Sequence, residues 1–133
     1  MKKIQLLMLG LITLLMLISC AGPYKSKRID NPLEQIDKVV LMDNSLQDDI
    51  AITGLRKGRL ANGLLKVEAQ IKNQTDESLP LQIKLKFKDK DNFFIEETNW
   101  MPVVVPHYEI YTFEMNSLSD KPVDYVVCIR YAK

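Results

Sequence analysis

Two short stretches constrain the fold more than any other part of the chain. Between residues 64 and 73, Leu65, Val67, Ala69 and Ile71 alternate with Lys66, Glu68, Gln70 and Lys72. Between 81 and 88, Leu81, Ile83, Leu85 and Phe87 alternate with Gln82, Lys84, Lys86 and Lys88. A period of two sends successive side chains to opposite faces of a strand. Each stretch therefore has one apolar and one polar face, as a sheet with one dry and one wet side requires. The intervening Asn73-Gln74-Thr75-Asp76-Glu77-Ser78 is turn chemistry. Paired as a hairpin, the two strands would set Ile71 near Leu81, Val67 near Leu85, and Glu68 opposite Lys84.

The same period recurs along the chain. Lys38–Met42 reads as a short strand that Asp43-Asn44-Ser45 breaks, and Ile50–Lys57 reads as a second, followed by a turn at Leu60–Gly63. Asp89-Lys90-Asp91-Asn92 predicts a tight turn in which Asn92 takes a positive φ. Phe93–Trp100 predicts a strand. Pro102 and Pro106 bracket Val103-Val104-Val105, which fits a sheet edge or a crossover because proline donates no ladder hydrogen bond. Tyr108–Met115 and Val123–Tyr131 complete the set. About seven short strands and no convincing amphipathic helix predict an all-β fold, an antiparallel, immunoglobulin-like β-sandwich. The expected inner set is Leu65, Val67, Ile71, Ile83, Leu85, Phe87, Phe113, Val127 and Ile129.

The N-terminus carries a different signal. Met1-Lys2-Lys3 precedes an apolar run, Ile4 to Ile18, that is broken only by Gln5, Gly10 and Thr13. This is the length of a signal-peptide core and short for a membrane span. It ends in Leu17-Ile18-Ser19-Cys20, which resembles the lipobox of bacterial lipoproteins. That resemblance implies a lipid on the Cys20 sulfur and cleavage before it, with residues 1–19 as the signal peptide. Acyl chains contribute about 0.8 kcal/mol of membrane affinity per buried methylene, so two or more give stable anchoring. Ala21, where the family's inner-membrane signal would be Asp, implies the periplasmic face of the outer membrane. Residues 20–37 then read as a lipidated tether and 38–133 as the sandwich domain. Lys25, Lys27 and Arg28 in the tether either touch anionic headgroups or are simply solvated.

Removing residues 1–19 leaves 114 of 133 residues, one domain's worth, with 16 basic side chains against 17 acidic ones. A balance this even gives no electrostatic footprint for nucleic acid. With Cys20 committed to lipid, Cys128 has no intramolecular disulfide partner, and the hydrophobic core must hold the domain together.

From Ile50 onward the chain resembles the YcfL-like family of small bacterial periplasmic lipoproteins, which has no assigned activity. The resemblance runs through ITGLRKGRLANGLLKVEAQIKNQT, LKFKDKDNFFIEETNW and VVVPHYEIYTFEMNS. Its features are a strand ending in Asn73 with a hydroxylated turn, a hairpin opening at Phe87-Lys88-Asp89, and a later strand by Val105-Pro106. Asn92 stands where the family's hairpin has glycine. The resemblance implies a sandwich on a lipid tether and no functional residue besides Cys20.

Candidate chemistry is sparse. His107 is the single histidine, and Cys128 sits between Val127 and Ile129, where a thiol is expected to be an inert small hydrophobe. Adjacent carboxylates such as Asp48-Asp49 and Glu96-Glu97 point to opposite faces of a strand. Asp89-Lys90-Asp91-Asn92 starts like a calcium loop but meets Phe93 at the next ligand position. The reading is therefore non-enzymatic, with no cofactor and no metal. Lys84, Lys86 and Lys88, with Lys66 expected beside them, form either a contact face for an anionic partner or a solvated face that deters aggregation. Trp100, the only tryptophan, is either a core or half-buried plug or a partner anchor. The function expected is a lipid-anchored binding module for another envelope component, protein or cell wall. The alternative is a small-ligand carrier with a pocket between the sheets.

Overall fold

A computed structural model describes residues 37–133 and the backbone of Tyr24 and Lys25. The expected signal peptide, Cys20 and almost all of the expected tether lie outside the described residues. The strands, in chain order, are β1 (Tyr24–Lys25), β2 (Val39–Leu41), β3 (Ile50–Arg59), β4 (Leu65–Asn73), β5 (Leu79–Lys88), β6 (Phe94–Glu97), β7 (Met101–Val105), β8 (Ile110–Asn116) and β9 (Asp124–Tyr131). A single helical turn, α1 (Leu46–Asp49), precedes β3.

These elements form a β-sandwich. One sheet has six strands along the path β1-β2-β9-β5-β6, with β7 also paired to β5; the other has three, in the order β3-β4-β8. Burial follows the alternation: β4 and β5 bury every second residue over most of their lengths. All nine residues expected inside are buried, from Leu65 and Val67 to Ile129. Leu46 of α1 is also fully buried, so the turn that breaks the strand period still contributes to the core.

The hairpin between β4 and β5 does not form. β4 pairs with β3 and β8, whereas β5 pairs with β9 and with β6 and β7. The two strands lie in different sheets and face each other across the core. Alternation fixes which face turns inward; it does not fix which neighbour supplies the hydrogen bonds. Glu68 accordingly meets Arg56 across β3, and Lys84 pairs with Glu97. The crossover is set by Asn73, whose side chain is buried at the end of β4. Its amide Nδ2 donates to the carbonyls of Glu77 (2.7 Å), Val105 (3.0 Å) and Pro106 (3.1 Å). Its Oδ1 accepts from the Thr75 N–H and hydroxyl, each at 2.8 Å. This Asx turn lifts the chain from one sheet to the other.

The sandwich is also not antiparallel throughout. β2 runs parallel to β9, in the register Val39↔Val127 and Leu41↔Ile129. Parallel neighbours need a long connection, and almost the whole domain separates these two strands. β6 and β7 share one edge of β5, β6 beside Lys86–Lys88 and β7 beside Leu79–Ile83. Between them Thr98 keeps the ladder closed: its N–H donates to the Leu85 carbonyl and its hydroxyl accepts from the Leu85 N–H. Pro102 thus stands in an edge strand, opposite Gln82. Asn92 has φ 69°, as the turn chemistry predicts.

Candidate functional site

The lysine row occupies the outer face of the six-stranded sheet. Lys84, Lys86 and Lys88 of β5 lie opposite Cys128, Val126 and Asp124 of β9. Val126 and Cys128 point away from the core cluster, yet they are only 8% and 6% exposed. The aliphatic stems of the lysines beside them cover the strand while the ammonium groups reach outward. The Lys84 side chain retains 17% exposure and Lys86 38%. Burial pushes the Cys128 thiol above its ordinary range, against the opposing pull of Lys86 and Lys84.

Two aromatic rings organise the cations. Trp100 is half-buried at the break between β6 and β7. The Arg130 guanidinium lies 3.9 Å from its ring centroid and the Lys84 ammonium 5.3 Å. Arg130 is fixed in turn by its Nε, which donates to Gln82 Oε1 at 2.8 Å. Phe94 of β6, 56% exposed, carries Lys88 at 4.9 Å and Lys86 at 5.5 Å. Each such contact is worth about 0.5–1 kcal/mol at an exposed site and holds a flexible cation in place. Glu97 stands between the two groups, 3.1 Å from Lys84 and 4.0 Å from Lys86. In this cluster four cationic side chains face one carboxylate.

The structure therefore brings together the sequence-predicted Trp100, Lys84, Lys86 and Lys88, and adds Arg130 and Phe94. Arg130 was legible only in part. Its place in the β9 alternation puts it on an outer face, but the β5–β9 pairing that sets it beside Gln82 joins residues 48 apart. Lys66 is not beside the row. It lies in β4 of the other sheet, bonded to Glu68 and Glu114 at 3.0 Å each, and these hydrogen bonds raise its pKa. Cys20 lies outside the described residues.

The opposite outer face holds a groove of about 470 Å³ above the three-stranded sheet. Gly54 and Arg56 of β3, Glu68 and Gln70 of β4, and Thr112 and Glu114 of β8 line it. Its charges neutralise one another: Arg56 and Lys66 both pair with Glu68, holding that carboxyl below its ordinary range. Between the sheets, where a small-ligand pocket is the alternative expectation, Val67, Ile71, Ile83 and Val127 are fully buried.

The other reactive groups are dispersed. His107 lies exposed in the turn between β7 and β8, its ring edge-on to Tyr108. Asp49 accepts the Tyr131 hydroxyl, Asp89 accepts the N–H groups of Asp91 and Phe93, and Glu96 accepts from Leu118 and Ser119. These carboxylates hold loops. Among the described residues no group of three or more His, Cys, Asp or Glu side chains is placed to hold a metal ion.

No family model matches the chain, and no curated protein matches it. Two solved structures share its fold. Campylobacter jejuni cj0090 superposes with a TM-score of 0.57 at 17% identity, over 71% of this chain and 98% of its own. A DUF1425 family member from Shewanella sp. pv-4 superposes with a TM-score of 0.59 at 17% identity, over 85% of this chain and 98% of its own.

Proposed function

We propose that this chain is a lipoprotein anchored through Cys20 at the periplasmic face of the outer membrane. In this reading its sandwich is a non-enzymatic module that engages another component of the cell envelope. The observation that carries the binding role is the Trp100–Lys84–Arg130 cluster with its Phe94–Lys86–Lys88 neighbour. It is a cationic, aromatic surface whose side chains are held in place before any partner arrives, which lowers the ordering cost of binding. The envelope address is supported by the lipobox residues Leu17-Ile18-Ser19-Cys20. The resemblance to YcfL-like lipoproteins supports the same address, and the fold shared with two bacterial proteins is the sandwich that this resemblance implies. Confinement by the anchor raises the effective concentration of a weak binding face for its neighbour.

A photo-crosslinking residue placed in living cells at position 100, and separately at position 70 in the opposite groove, tests the module. The reading predicts adducts with envelope material from position 100 and none from position 70. Adducts from neither position, with the anchor intact, would refute it.

A further inference from the structure

We propose that the outer face of the six-stranded sheet docks on the anionic headgroup layer of the bilayer that anchors the chain. The inference deepens the proposed function and rests on its lipid anchor. Charge is the first argument: Lys84, Lys86, Lys88 and Arg130 outnumber the carboxylates beside them, Glu97, paired to Lys84 and Lys86, and Asp124, opposite Lys88 and itself bonded to Lys38 and Lys57. Chemistry is the second. Lysine stems beside amphipathic or apolar rings are the composition that settles at a membrane–water boundary, with rings at headgroup level and ammonium groups on phosphates. Phe94, 56% exposed and beside Lys86 and Lys88, supplies the apolar ring of this face.

Chain length is the third argument. Only Ala21, Gly22 and Pro23 separate Cys20 from Tyr24, which pairs with Leu41 at the β1 edge of this same sheet. Four residue steps span at most about 14 Å. From β1 to the strand that follows Trp100 is four strand spacings, about 19 Å. A lipid at Cys20 therefore holds the face within reach of the bilayer without a long linker. Docked this way, the sandwich turns its other sheet, with the Arg56–Glu68–Glu114 groove, away from the membrane.

Trp100 is the chain's only tryptophan, so in discs held by a tryptophan-free scaffold its fluorescence reports on this face alone. The intact lipidated chain is placed in nanodiscs of neutral phospholipid or of neutral phospholipid with phosphatidylglycerol. Acrylamide in the water and a bromine label near the lipid glycerol serve as quenchers. Docking predicts that phosphatidylglycerol lowers acrylamide quenching and brings quenching by the label. Replacing Lys84, Lys86 and Lys88 together by Gln lowers the docked-to-undocked ratio about a hundredfold, at roughly fivefold per cation. E97Q, at an exposed position whose loss does not threaten folding, raises it about fivefold. Equal acrylamide quenching on both nanodiscs, or no gain from E97Q, overturns the proposal. Protection of Trp100 that needs an added envelope protein also overturns it, in favour of a protein partner, and leaves the anchored module intact. A mass for the mature chain that lacks lipid at Cys20 instead removes the reading on which the proposal stands.

Discussion

Replacing Asn73 by Ala should be among the most damaging single changes to this domain. The side chain is buried, and its two N–H groups serve three carbonyls while its oxygen accepts two bonds from Thr75. A hydrogen bond contributes about 0.5–1.5 kcal/mol net, and a buried partner left bare costs about 1–3 kcal/mol. Two N–H groups shared among three carbonyls count as two bonds, and with the two accepted bonds the four give a loss of about 4 kcal/mol, against a total of about 5–15 kcal/mol for a domain. At a urea slope of about 1.3 kcal/mol/M the unfolding midpoint falls by about 3 M. N73D separates the hydrogen-bond argument from one of size. It keeps the acceptor for Thr75 but turns a carboxylate toward three carbonyl oxygens, so near pH 7 it should be no better than N73A. Burial among carbonyls raises the folded-state pKa of the introduced carboxyl above its unfolded value of about 3.9. The penalty is present above that raised pKa and is relieved as pH falls through it, because the protonated group donates again. Urea unfolding followed by far-UV circular dichroism at pH 4 and pH 7 provides the measurement. A loss below about 1 kcal/mol in N73A, or an N73D as stable as wild type at pH 7, would refute the reasoning.

Other outcomes follow from the same structure. Cys128 should alkylate slowly in the native chain at pH 8, because burial raises its pKa and blocks access, and rapidly once urea unfolds it; mass spectrometry of iodoacetamide adducts reads both. For Asp124, burial alone would raise the carboxyl pKa, but hydrogen bonds from Lys38, the Tyr125 N–H and Lys57 hold it below the ordinary value. Its stabilisation is therefore fully present above the unfolded value of about 3.9 and is lost as pH falls through the lower folded value. D124N should be less stable than wild type at pH 6, and the two midpoints should converge toward pH 2. Gly63 has φ 86°, and an added Cβ would stand 3.3 Å from the Asp120 Cβ, so G63A should cost about 1–2 kcal/mol in thermal unfolding. G58A meets nothing within 4 Å and should be neutral or slightly stabilising.

Much of the fold was legible because period-two burial is a local property. Leu65, Val67, Ile71, Ile83, Leu85 and Phe87 could be assigned to an inner face from their own neighbours in sequence, and all are buried. Strand partners were not legible in the same way. The choice between a β4–β5 hairpin and two facing sheets rests on where the Asn73 amide finds its acceptors, and two of them are residues 105 and 106. The parallel placement of β2 beside β9 joins strands nearly ninety residues apart, with no local signature. Trp100 and the lysines were legible as candidates, since a lone tryptophan and a lysine row on a wet face stand out. Their assembly with Arg130 was not, because it requires the β5–β9 register. Lys66 was misplaced for the same reason: its face was read correctly and its sheet was not.

The claim beneath the functional account is that the sulfur at position 20 bears lipid. Cells expressing the chain and a C20S variant can be grown on radiolabelled palmitate and the purified proteins counted and weighed intact. The account predicts label on the wild-type chain, a mature N-terminus at Cys20 with acyl mass on it, and no label on C20S. Equal label on both chains, or a wild-type protein that keeps residues 1–19 and carries no acyl mass, would contradict it.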